Sequence, residues 1–146
     1  LQEITPVALK TLAELNVNNV DKNAMRLPYP YLGFQPVWVK WHEVYQKKKR
    51  DLLFYDAPNA LLVVSHTWNG LDGCFNAGHL ELMINALGLG ACLMGFGTLA
   101  FDMSSELKKR VGIHEGESVI LMMVFGHPRV KYLRTVNRKK VRYEKI

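Results

Sequence analysis

The stretch from Cys74 to Leu87 does most to limit the architecture. Phe75, Ala77, Leu80, Leu82, Met83, Ile84, Ala86 and Leu87 spread over more than one face of a helix, and a helix apolar on most sides has to be covered on most sides. Gly88 follows as the positive-φ residue that closes such a helix. Two short unbroken apolar runs, Ala60–Val64 and Val119–Phe125, flank it in the chain, and each reads as a buried strand. A chain of 146 residues makes one domain with one core. So small a domain has little protein with which to wrap a helix all round, and a partner subunit is one way to cover the rest.

The other elements are shorter. Thr5-Pro6 signals a helix start, with Thr5 as N-cap and Pro6 at the first helical position, and Val7, Leu9, Leu12 and Leu15 follow before the polar turn Asn16–Asp21. Pro28, Pro30 and Pro36 interrupt regular structure in a segment crowded with aromatics. Trp38, Trp41 and Tyr45 then recur at i, i+3 and i+7 and share one helix face. Such a stripe is usually core; a lid over a flat ligand is the other use for it. Asn69-Gly70 and Asp72-Gly73 read as loop, Ala91–Met94 as extended, and Gly95-Phe96-Gly97 as a turn. Ser104 or Asp102 caps a helix that buries Leu107 and Val111 and stops at Gly112. Without repeats or low-complexity stretches, residues 1–146 are expected to form a single mixed α/β domain.

Lys and Arg number 19 against 13 Asp and Glu, a net charge of +6. That balance suits nucleic acid, a membrane surface or an anionic ligand. Eight of the nineteen cations fall between Arg129 and Lys145, beside one acid, Glu144; this tail is either a specific anion site or plain exposed chain. Lys47–Arg50 reads as a solvated helix end. No nucleic-acid recognition motif accompanies the charge. The longest apolar run has seven residues, well short of the roughly 18–20 a membrane helix needs. No secretory leader is visible, and two cysteines, Cys74 and Cys92, make no disulfide framework, so a reducing cytoplasm is the expected compartment.

Several chemistries are missing. There is no His-Glu-x-x-His or Cys-x-x-Cys spacing for a metal, and His79-Leu80-Glu81 lacks the Pro-Cys-x-x-Cys half of a zinc-deaminase signature. There is no Gly-x-Ser-x-Gly elbow. Gly88-Leu89-Gly90 and Gly95-Phe96-Gly97 do not make the dinucleotide fingerprint. No side chain stands out as a catalytic acid, base or nucleophile, and an enzyme of this composition would rely on a cofactor.

Four stretches together resemble the FMN-dependent nitroreductase family. They are Leu53-Phe54-Tyr55-Asp56-Ala57-Pro58 leading into Ala60–Val64; the apolar helix running into Ala86-Leu87-Gly88-Leu89-Gly90-Ala91-Cys92-Leu93-Met94-Gly95-Phe96; Leu107–Gly116 with the strand Val119–Phe125 and Gly126-His127-Pro128; and Leu133-Arg134-Thr135-Val136-Asn137-Arg138-Lys139. The last is similar to the Arg-Thr-Val-Pro-Arg-Lys ending of a branch often fused to ferredoxin modules, with Asn137 in place of the proline. The match corresponds to the C-terminal two-thirds of the family, and its Arg-Arg-Ser-type N-terminal segment has no counterpart in residues 1–50.

The resemblance implies an α+β fold, a central and mostly antiparallel sheet flanked by helices, in a homodimer whose core contains the long apolar helix. It implies FMN as cofactor, with Leu93, Met94 and Gly95 along the flavin and Arg138 and Lys139 at its phosphate, where a guanidinium binds bidentately and a lysine adds a point charge. Lys140 and Arg142 are expected to be solvent-exposed. The implied activity is transfer of hydride or electrons from NAD(P)H to a nitroaromatic, quinone or similar small-molecule acceptor, with no metal, nucleic acid or membrane involved. The alternative is a relative impaired in turnover that serves as a flavin-binding or structural dimer.

Overall fold

A computed structural model describes residues 1–15, 33–66, 69–130 and 139–140. In chain order the elements are α1 (Ile4–Ala13), α2 (Gln35–Lys48), β1 (Asn59–His66), α3 (Gly70–Ala86), β2 (Gly90–Leu93), α4 (Gly95–Met103), α5 (Ser105–Arg110) and β3 (Glu117–Gly126). Among the described residues the strands form one sheet of order β1-β3-β2, with β3 antiparallel to both neighbours. This is the α+β arrangement expected, a central antiparallel sheet flanked by helices.

Central β3 carries the unbroken apolar run Val119–Phe125 because both of its faces are covered there. Val119, Met122 and Val124 enter the main core, while Leu121, Met123 and Phe125 turn towards α3. Along β1 the register shifts between Val63, opposite Leu121, and Val64, opposite Val119. Ile120 is the extra residue of this bulge. The main core lies on the face away from α3: α4 rests on β3, α1 on α4, and α2 on α1. Ala8, Leu9, Leu12, Trp38, Phe54, Phe101 and Leu107 are fully buried there.

β1 is less buried than its composition suggests. It is an edge strand among the described residues, and Ala60 and Val64 are exposed. The helix start near Thr5 also differs. α1 begins at Ile4 with Glu3 as an N-cap that makes no side-chain bond. Thr5 sits inside the first turn, buried, with its hydroxyl 3.1 Å from Leu1 O and 3.2 Å from Asp51 Oδ2. A long-range partner for that hydroxyl has overridden its local use as a cap.

α3 starts at Gly70, earlier than the turn residues of 69–73 suggest. Gly73 is there for contact, not for a turn: a Cβ at this position would lie 2.8 Å from Ile120 Cγ1 and 2.9 Å from Cγ2. The C-terminal end follows expectation. Gly88 has φ +76°, its N–H bonds to Asn85 O (3.0 Å), and Leu89 N–H reaches back to Ile84 O (3.1 Å), the paired bonds of a Schellman stop. α5 is bounded as expected too, with Ser104 Oγ accepting from Leu107 N–H (3.2 Å) and Gly112 at φ +74°.

Among the described residues, only one side of α3 is covered. Gly73, Ala77 and Ile84 are buried against the sheet, and Leu71, Phe75, Leu82, Met83 and Leu87 are exposed on the helix and at its end. The described residues therefore supply only part of the cover implied by its apolar composition. Trp38, Trp41 and Tyr45 take the core use of their stripe: Trp38 is fully buried and the other two pack against the same core. The Asn16–Asp21 turn, Tyr29 and Tyr31 lie outside the described residues. Among the described residues no helix is long and apolar enough to cross a membrane, and no three metal-binding side chains cluster.

Candidate functional site

The junction of β2 and α4 holds the loop residues singled out from the sequence. β2 pairs with β3 as far as Leu93 opposite Met123, and Met94 N–H then donates to Met122 O at 2.8 Å. At Met94 (φ −109°, ψ 77°) the chain leaves the ladder and a helix begins at once. Gly95-Phe96-Gly97 is thus not a free turn but the first turn of α4. Glycine is a poor helix former, yet Gly97 is required by what it touches. A Cβ there would stand 2.6 Å from Met122 Sδ and 2.9 Å from Phe54 Cε1. Gly97→Ala is expected to lower stability by about 1–3 kcal/mol through overpacking, even though alanine favours the helix by roughly 1 kcal/mol. A urea midpoint equal to or above wild type would show that Met122 and Phe54 yield at no cost.

The three loop residues occupy different environments. Leu93 is 49% exposed. Met94 is buried in the main core, and its carbonyl accepts from both Thr98 N–H (2.9 Å) and the Thr98 hydroxyl (3.2 Å). Its backbone groups are thus already engaged. Gly95 is exposed, with nothing within 4 Å of where a Cβ would be. A helix leaves its first N–H groups without intrahelical partners and carries partial positive charge there; in α4 the N-cap residue, Met94, makes no side-chain capping bond. The outcome is an open turn with an apolar flank at Leu93 and donors at its tip.

Next to it stands an aromatic cluster that links two features the sequence shows only separately. Phe96, in the first turn of α4, has the rings of Phe34 at 5.4 Å, Trp38 at 5.2 Å and Trp41 at 6.0 Å, the two tryptophans in edge-on geometry. The aromatic stripe of α2 and the glycine-flanked loop therefore meet. Residues 93–101 contain no ionisable side chain, so the chemistry open to this turn is that of binding and orienting a ligand.

Of the basic tail, Arg138 lies outside the described residues and Lys139 is exposed. A separate open cleft of about 680 Å³ is lined by Glu3, Tyr45, Lys49, Asp51, Asp56 and Arg110, among others, and by none of the five residues assigned to the ligand. Its charges are mixed, and Arg110 is already paired with Glu106 at 2.8 Å. Sequence reasoning passed over Thr98, whose hydroxyl also accepts from Met122 N–H at 3.0 Å. A lone polar residue within the apolar run Gly97–Phe101 was the available signal.

No protein-family model matches the sequence, and no curated protein does either. Solved structures do. A nitroreductase with bound FMN from Bacteroides fragilis superposes with a TM-score of 0.67 at 15% identity, over 98% of this chain and 69% of the other. One with bound FMN from Desulfitobacterium hafniense gives 0.62 at 23% identity, over 99% and 69%. An FMN-dependent nitroreductase from Clostridium difficile gives 0.50 at 18%, over 97% and 88%. Such likeness at such low identity is a likeness of fold, and nearly the whole of this chain has the nitroreductase fold.

Proposed function

We propose that residues 1–146 form a single nitroreductase-like domain of an FMN-dependent oxidoreductase that works as a homodimer. The observation that carries this reading is the open turn Leu93–Gly95, in a chain whose fold is shared with nitroreductases that bind FMN. That turn fits a flat ligand. Gly95 lets the ligand approach the backbone closely, Leu93 supplies apolar surface, and the partial positive charge at the start of α4 favours electron-rich atoms of the ligand. Arg138 and Lys139 are assigned to the phosphate from the sequence motif alone.

FMN, when bound, supplies the redox chemistry, taking hydride from NAD(P)H and reducing a nitroaromatic, quinone or similar acceptor. The chain's own part is to bind and orient, consistent with a turn that has no ionisable side chain. The uncovered face of α3 supports the homodimer, since a large exposed apolar patch marks an interaction site. Two free, exposed cysteines, Cys74 and Cys92, suit a reducing cytoplasm.

The test is a visible spectrum. Purified protein, incubated with FMN and separated from free flavin by gel filtration, is expected to keep a yellow chromophore and to bleach when NADH or NADPH is added without oxygen. Protein that stays colourless would sink the proposal. Bound flavin that neither nucleotide reduces would leave a flavin-binding dimer in place of an enzyme.

A further inference from the structure

We infer that Thr98 is a positioning residue for the ligand-facing turn at Gly95, acting through its hydroxyl. The identity of the ligand rests on the flavin reading above; the positioning itself does not. Met94 and Met122 are the next residues along the β2–β3 ladder after the Leu93–Met123 pair. In an antiparallel ladder, residues of a hydrogen-bonded pair exchange two N–H···O bonds. Only one of these is made here, Met94 N–H to Met122 O. In place of the other, Met122 N–H donates to Thr98 Oγ1 (3.0 Å), and Thr98 Oγ1 donates to Met94 O (3.2 Å). The hydroxyl is spliced into the ladder as donor and acceptor together, which lets Met94 O serve α4 while Met122 N–H stays satisfied.

Thr98 is 8% exposed and Met122 1%, so water is poorly placed to replace the hydroxyl. Without it, a buried N–H is left unpaired, which is costly. Its nearest remedy is to recover the direct bond to Met94 O, and that draws Met94 away from Thr98 N–H and opens the first turn of α4. The hydroxyl therefore decides between two chain paths at Gly95, one that starts the helix there and one that extends the ladder. Gly97 reinforces the first path by letting the turn sit against Met122 and Phe54.

The experiment compares Thr98→Val, which keeps the shape and drops the hydroxyl, with Thr98→Ser, which keeps the hydroxyl. Amide hydrogen exchange is read on the FMN-free protein, and FMN affinity by fluorescence titration. Thr98→Val is expected to speed exchange of the residue 98 amide, bonded to Met94 O in the wild type, by about tenfold or more, while the amides of β1 and of β3 other than Met122 keep their protection. FMN affinity is expected to fall by about tenfold in the same variant, and Thr98→Ser to restore both readings. Unchanged exchange of the residue 98 amide in Thr98→Val overturns the inference, and so does Thr98→Ser behaving like Thr98→Val. If the Val variant does not fold, Ser decides alone: wild-type exchange of the residue 98 amide supports the role, faster exchange removes it. Wild-type protein that takes up no FMN counts against the flavin reading, and the exchange comparison still decides the role of Thr98.

Discussion

Phe75→Glu is expected to turn the proposed dimer into a monomer without unfolding either subunit. Phe75 is 70% exposed on α3, with Leu71 at 78%, Leu82 at 69% and Leu87, just past the helix, at 69%. Leu71, Phe75 and Leu82 are spaced i, i+4 and i+11, which places them along one side of the helix, away from Gly73, Ala77 and Ile84 on the sheet. A phenylalanine buried at an interface removes about 150–250 Å² from water, worth several kcal/mol at about 25 cal/mol per Å². Glutamate forfeits that and would have to bury a charge without a partner. In a two-fold assembly every substitution acts twice, once from each subunit. A dissociation constant raised by at least about a hundredfold, some 2.7 kcal/mol, is a low expectation. Because most of the Phe75 side chain touches solvent in the single chain, the far-ultraviolet circular dichroism of the variant should match wild type. Sedimentation velocity is the measurement, with Lys109→Glu, at an exposed position of α5, as the control that stays dimeric. A wild-type protein sedimenting as a monomer at tens of micromolar, or a Phe75→Glu protein sedimenting as a dimer, would remove the assembly from the proposal.

What the sequence reveals of this fold, and what it conceals, follows the range of the interactions concerned. β3, the stop at Gly88 and the cap at Ser104 are legible because their causes are local: an apolar run, a positive φ, a side chain bonding three residues on. The starts of α3 and α4 are hidden because Gly73 and Gly97 look like breakers. Their real use is to leave out a Cβ opposite Ile120 and Met122, and those partners lie far away along the chain. Thr5 departs from the N-cap role that Thr5-Pro6 suggests for the same reason, its hydroxyl lying near a carboxylate 46 residues on. Of the candidate site, the loop Leu93–Gly95 is legible through the family resemblance. The Phe96 cluster is not, since i+3 and i+7 arithmetic describes one helix and says nothing of the ring that will sit against it.

Asp51 is the least legible residue of all and should be among the most costly to remove. It follows the basic run Lys47–Arg50, where a surface carboxylate would be the ordinary expectation, yet it is buried. Oδ1 accepts from Leu53 N–H and Phe54 N–H, each at 2.8 Å, and Oδ2 faces the Thr5 hydroxyl at 3.2 Å. One side chain thus shapes the turn that carries Leu53 and Phe54 into the core, and ties that turn to α1. Hydrogen bonds to a charged group contribute about 1.5–3 kcal/mol each, and Asp51→Ala strands two backbone donors beside buried side chains. The expected loss is about 3–5 kcal/mol, or a melting temperature lower by roughly 10 °C in a domain of this size. Asp51→Asn separates acceptor from charge. Its carbonyl oxygen can serve Leu53 and Phe54 while its amide donates to Thr5 Oγ, whose proton remains free for Leu1 O at 3.1 Å. That variant should lose only about 1–2 kcal/mol, and Thr5→Val, which removes a single partner, a similar amount. Chemical denaturation of the three proteins orders them Ala far below Asn and Val. If Asn falls as far as Ala, the bonds to Leu53 and Phe54 depend on the negative charge; if Ala matches wild type, the turn is held by the packing of Phe54 and not by the carboxylate.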